Sequence, residues 1–135
     1  MTNTISEAAA IGVHQVTMPI PFPLKEVHAY LIDAGGEWVM MDAGFPSQEA
    51  LSILKPEVER ICGGPGNVRA VFISHYHPDH CGLAGWLEAH GAEVIVHERD
   101  WPSVERMNSD EPVRPEEYGG SAFAAIASAT NFSFE

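Results

Sequence analysis

The sequence predicts an α/β fold, one mixed β-sheet with flanking helices, in a single domain spanning residues 1–135. Three observations carry this. Short apolar or alternating runs recur at 11–18, 27–33, 37–42, 68–73 and 93–96, each bounded by Gly, Pro or polar turn residues. Two segments of helical spacing, 48–61 and 83–89, separate the last three of these runs, and strand, helix, strand, helix, strand is the order of a layered α/β protein. The 135 residues, 45% of them hydrophobic, suit one domain that buries roughly two-thirds of its unfolded surface.

Taken in order, IGVHQVTM (11–18) reads as a first strand, ended by the proline-rich PIPFP. VHAYLID (27–33) alternates and reads as a second. Ala34, Gly35 and Gly36 supply a turn, and EWVMMD (37–42) returns as the third strand of a hairpin. Ser47 is placed to N-cap a helix over 48–61, whose apolar positions Leu51, Leu54, Val58 and Ile61 share one face. Pro56 lies inside that pattern and predicts a kink or break. Gly63, Gly64 and Pro65 stop the helix. VRAVFI (68–73) is almost wholly apolar, as a strand buried on both faces is. A short helix over 83–89 is closed by Gly91, and a last strand covers 93–96.

Charge narrows the partners. Seven Lys and Arg against nineteen Asp and Glu give a net charge of −12, which argues against nucleic acid and anionic membranes, since both need a basic surface. The first residues lack a basic region followed by an apolar run, and no apolar stretch approaches the roughly 18 residues of a membrane helix. Cys62 and Cys81 suggest no disulfide framework. A reducing cytoplasmic setting is the expectation.

The chemistry concentrates in SHYHPDHCG (74–82), where His75, His77, Asp79 and His80 fall within six residues. The cluster begins two residues after the apolar strand 68–73, where sites in α/β folds gather. In an extended segment, residues two apart project the same way, so His75 and His77 can reach one ion together. Pro78 forces a turn that can aim Asp79 and His80 at a second point nearby. Imidazole nitrogen and carboxylate oxygen suit zinc, and equally iron or manganese. His14, His28, His90 and His97 are isolated and read as packing or surface residues.

His-Tyr-His-Pro-Asp-His resembles the H-x-H-x-D-H motif of the metallo-β-lactamase superfamily. HAYLID and WVMMDAGFP resemble that family's opening hairpin, VRAVFISHYHPDHCGLAGWL its strand, metal loop and helix, and AEVIVHERD the strand that follows. The resemblance covers roughly residues 12–100. It implies the N-terminal half of an αββα sandwich and a metal-dependent hydrolase of esters, lactones, thioesters or amides with two zinc ions in the complete site. By motif position His75 and His77 bind one metal, and Asp79 and His80 the other. Asp79 also handles protons at the leaving group. Asp42 supports the metal loop from behind; an alternative, a strand-end aspartate capping the turn at Gly44, stands beside that reading.

The family's second half brings a third metal histidine, a bridging aspartate and a final histidine. After His80 this sequence offers only His90 and His97, and there is no histidine beyond Trp101. The expectation is a partial domain with an incomplete site, inactive alone, that pairs with itself or with the missing C-terminal half. The small-molecule substrate is set by elements the sequence does not supply. A second function class is a non-catalytic metal-binding or interaction half-domain that needs a partner chain. Residues 101–135 read as a helical insertion or tail, with a candidate helix over 116–129 and with Trp101, Tyr118, Phe123, Phe132 and Phe134 packing on the missing half or lining a pocket.

Overall fold

A computed structural model of the chain describes residues 4–21 and 26–107. In order the elements are α1 (Thr4–Ala10), β1 (Val13–Pro19), β2 (Glu26–Asp33), β3 (Trp38–Met41), α2 (Gln48–Cys62), a 3-10 turn (Pro65–Asn67), β4 (Val68–Phe72), α3 (Pro78–Cys81), α4 (Ala84–Ala89), β5 (Glu93–Ile95) and α5 (Trp101–Met107). The strands form one sheet in the order β1-β2-β3-β4-β5. β1, β2 and β3 run antiparallel as a meander, and β3–β4 and β4–β5 are parallel. Parallel neighbours need crossover connections. Here α2 supplies the first, and α3 with α4 the second.

The register explains the core. His14, Leu31, Met40, Val71 and Val94 lie opposite one another across the five strands, with Val16 opposite Ala29 and Met18 opposite Val27. Partners in register share a face, and Val16, Met18, Ala29, Leu31, Met40 and Val71 are fully buried. This face packs on α2 and α4, which contribute Leu51, Leu54, Val58, Ala84, Trp86 and Leu87. The opposite face carries Val13, Ile32, Val39 and Ala70 in one row and Tyr30, Met41, Phe72 and Ile95 in the next. It too is apolar, yet Tyr30 is 36% and Ile95 37% exposed.

Helix α2 follows its sequence signals. Ser47 is extended, and its Oγ accepts from the Ala50 N–H at 3.1 Å; Gly63 ends the helix at φ 85°. The break expected at Pro56 does not occur. Pro56 sits on the exposed side of a continuous helix, where one backbone bond is lost while Leu54 and Val58 on either side stay buried. Helix α1 was not legible in sequence: TISEAAA has one large apolar residue, Ile5, so no apolar stripe announces it. It takes Ile11 and Gly12 out of the expected first strand, which begins at Val13. Strand β4 is not buried on both faces throughout, since Arg69 is exposed and Phe72 half-buried. The candidate helix 116–129 lies outside the described residues, whereas α5 falls at the start of the 101–135 segment.

What positions the site is a pair of zipped loops. β3 and β4 are parallel neighbours, so their C-terminal ends deliver two loops to one place. The Ala43 N–H donates to the His80 carbonyl at 2.6 Å, the Gly82 N–H to the Gly44 carbonyl at 2.9 Å, and the Leu83 N–H to the Ala43 carbonyl at 3.0 Å. The approach is so close that a Cβ at Gly82 would collide with Pro46 and with the Gly44 carbonyl.

Candidate metal centre

Asp42 is the hub on which the histidine loop is built. It follows β3 directly and is the one non-glycine residue with positive φ among the described residues, at 62°. Aspartate tolerates this left-handed conformation better than most residues. From there its carboxylate reaches across to the neighbouring loop. The Ser74 N–H donates to Oδ1 at 2.8 Å, the Ser74 hydroxyl to Oδ2 at 2.9 Å, and His80 Nδ1 lies 2.8 Å from Oδ2. An ionised carboxylate only accepts, so His80 donates from Nδ1 and keeps its lone pair on Nε2. Asp42 thus holds the metal loop, and the turn at Gly44 is not what occupies it.

The other candidates stand around this hub. The ring of His75 lies 4.2 Å from that of His80 and 4.7 Å from that of His77, centroid to centroid, and His75 Nδ1 is 2.9 Å from Ser74 Oγ. Pro78 opens the short helical turn α3, fitting for a residue with no N–H to satisfy, and that turn carries Asp79 and His80. His80 Nε2 is 3.6 Å from Asp79 Oδ2. Asp79 is 14% exposed at its side chain, and its Oδ1 is buried without a hydrogen-bond partner. All five residues singled out from sequence are therefore neighbours. They are gathered without being closed on a point: among the described residues no three His, Cys, Asp or Glu groups already form a cage for an ion.

Electrostatics follow from these contacts. Burial alone would raise the Asp42 carboxyl, but bonds from His80 and Ser74 outweigh it and hold the group below its ordinary value. The bond to Asp42 raises His80 above the usual imidazole value, against the opposing effect of burial. Burial lowers His75, and the neighbouring His80 and His77 rings add to the effect. Burial pushes the Cys81 thiol far up. Its Sγ donates to the Tyr76 carbonyl at 3.3 Å, so it is an inert packing thiol beside the site.

The isolated histidines have separate contacts. His14 stacks on Trp38, His28 pairs with Thr17, His90 Nδ1 meets the Trp86 carbonyl, and His97 Nδ1 accepts the Arg99 N–H. Ser74 is the functional candidate that sequence reasoning passed over. Its one signal was position, between the end of β4 and His75. A cleft of about 250 Å³, lined by Ala84, Val94, Trp101 and Val104, sits between α4, β5 and α5. Trp101, expected to pack on a missing half or to line a pocket, is a partly exposed wall of that cleft.

The residues present fit a metal. A buried carboxylate oxygen without a partner is costly, and a cation or a transferred proton would relieve Asp79 Oδ1. The Nε2 lone pair of His80, turned toward Asp79, is the complementary donor. A sheet edge that gathers His, His, Asp and His on an aspartate-anchored loop defines an α/β scaffold of the metallo-hydrolase kind. A family profile described as the metallo-beta-lactamase superfamily matches residues 23–132, and the chain belongs to that superfamily.

Known proteins agree. A metallo-beta-lactamase family protein from Thermus thermophilus, TTHA1429, is 33% identical with a TM-score of 0.62, covering 67% of this chain and 30% of its own. The probable metallo-hydrolase YybB of Bacillus subtilis (strain 168) is 28% identical over 102 residues, 74% of this chain and 42% of YybB. A Cronobacter sakazakii metallo-beta-lactamase with a HARLDQ motif shares the fold at 21% identity and a TM-score of 0.59, over 77% of this chain and 38% of its own. The chain thus spans less than half the length of these relatives. Among the described residues no helix is long and apolar enough to cross a membrane.

Proposed function

We propose that this chain carries the histidine-loop portion of a metal-dependent hydrolase acting on an ester, lactone, thioester or amide of a small molecule. The observation that carries the reading is the grouping of His75, His77, Asp79 and His80 on the loop that follows β4, pinned to Asp42 at the end of the parallel neighbour β3, with the orphaned oxygen of Asp79 among them. His75 and His77 would hold one ion, and Asp79 and His80 a second; zinc is the first choice, with iron or manganese suited to the same donors. A bound divalent ion lowers the pKa of the water it holds and polarises the scissile oxygen. The chain's own residues do the rest. Asp42 fixes His80 through Nδ1, so that Nε2 faces the site. Asp79 presents one carboxylate oxygen toward His80 and has a second to take a proton from the nucleophile and return it to the leaving group.

A second reading is a non-catalytic metal-binding or interaction half-domain that works with a partner chain. Its support is that each ion would have only two ligands here, where a catalytic zinc site usually has three plus water. Zinc titration of the purified chain, followed by ester and lactone turnover with and without added zinc, separates the two. Zinc binding with no turnover supports the second reading for this chain alone. Turnover by the chain alone, abolished by chelator and restored by zinc, supports the first and overturns the expectation of an incomplete, inactive site. No zinc binding by the chain sinks both.

A further inference from the structure

We propose that Ser74 is a positioning residue: its hydroxyl relays a hydrogen bond from Asp42 to His75, holding His75 in the Nδ1–H tautomer so that Nε2 is its metal-binding atom. The inference rests on the reading of His75 as a ligand given above. Proton counting carries it. Asp42 is ionised and has no proton to give. The Ser74 hydroxyl, 2.9 Å from Asp42 Oδ2, therefore donates its single proton there. The same oxygen lies 2.9 Å from His75 Nδ1 and has no second proton, so this contact is a hydrogen bond only if the imidazole donates. A neutral ring with its proton on Nδ1 has its lone pair on Nε2.

One carboxylate then sets two rings, His80 directly and His75 through serine, and these belong to different halves of the ligand set. The backbone clamps the relay as well, because the Ser74 N–H donates to the other Asp42 oxygen at 2.8 Å. Ser74 is itself exposed. Alanine at 74 keeps the backbone bond to Asp42 and removes only the relay.

Long-range proton–nitrogen correlation spectra of the metal-free, nitrogen-15-labelled chain, recorded above the histidine titration range, report which nitrogen of each ring carries the proton. The wild type and Ser74→Thr are expected to show His75 protonated on Nδ1. Ser74→Ala should move His75 toward Nε2–H and leave His80 as it was, because His80 bonds Asp42 directly. Zinc affinity, measured by calorimetry, should fall about 10-fold or more in Ser74→Ala, in line with the loss of a residue that orients a ligand, and stay near wild type in Ser74→Thr. A wild-type His75 on Nε2–H, an alanine variant with an unchanged spectrum, or a threonine variant that behaves like alanine overturns the relay. A wild type with the expected spectrum and no zinc binding overturns the ligand reading instead.

Discussion

Asp42 sits where few side chains sit, at φ 62°, and backbone strain of this kind persists where surrounding contacts over-determine it. Here Ser74 and His80 do so. Asp42→Asn keeps the shape and the left-handed tolerance but turns an acceptor oxygen into a donor facing Ser74 or His80. The metal-free chain should lose about 1–3 kcal/mol in urea unfolding, the cost of an unmade buried bond; an unchanged midpoint would remove Asp42 as the anchor. Asp79 should behave in the opposite way. Its orphaned oxygen contributes nothing to the metal-free fold, so Asp79→Ala should leave thermal stability equal or higher while weakening zinc binding. A marked loss of stability would show that Asp79 is held for structure. Sequence and structure part company at this scale for a physical reason. Four candidates are local, packed into six residues and visible as a motif. Asp42 becomes recognisable as the hub only when strand pairing brings β3 beside β4, and Ser74 only through proton counting on measured distances.

The elements were largely legible because their periodicities differ. Alternation marked β2, an apolar run marked β4, and Leu51, Leu54 and Val58 marked α2 together with its serine cap. What sequence missed lacked such a pattern: α1 has no stripe, and α3 is a single turn. Pro56 shows local chemistry overruled by packing, and it leaves a measurable debt. Pro56→Ala restores a backbone bond at an exposed position and should raise stability by about 1–3 kcal/mol, judged against the cost of a proline in a helix interior. A chain no more stable than wild type would mean that the helix has already relaxed around the ring. Gly82 tests the clamp between the two loops. Its backbone is ordinary right-handed helix, so conformation is no obstacle to alanine, but the added methyl meets Pro46 and the Gly44 carbonyl. Gly82→Ala should cost about 1–3 kcal/mol by overpacking and loosen zinc binding along with it. Calorimetric unfolding and a zinc titration on one sample decide both halves of that claim.

For the whole molecule the leading feature is the open side of the sheet, where Tyr30, Ile32, Val39, Met41, Phe72 and Ile95 present an apolar surface, all of them at least partly exposed. Such a face is costly to leave in water at roughly 25 cal/mol per Å². The chain is expected to associate through it, with a copy of itself or with a complementary sheet. Size-exclusion chromatography with light scattering should show a dimer or larger, and Phe72→Lys should shift the species toward monomer. A stable wild-type monomer would mean that residues outside the described set cover the face. The zipped loops have a further consequence, in time rather than space. Asp42 meets Ser74 and His80 from 32 and 38 residues away, across a parallel strand pair whose crossover is a whole helix. Contacts of such separation form late, after loop closure has been accomplished elsewhere in the chain. The histidine loop is therefore assembled near the end of folding. Zinc added at the start of refolding should not speed it, because the loop would already be pinned to Asp42 by the time an ion draws its ligands together.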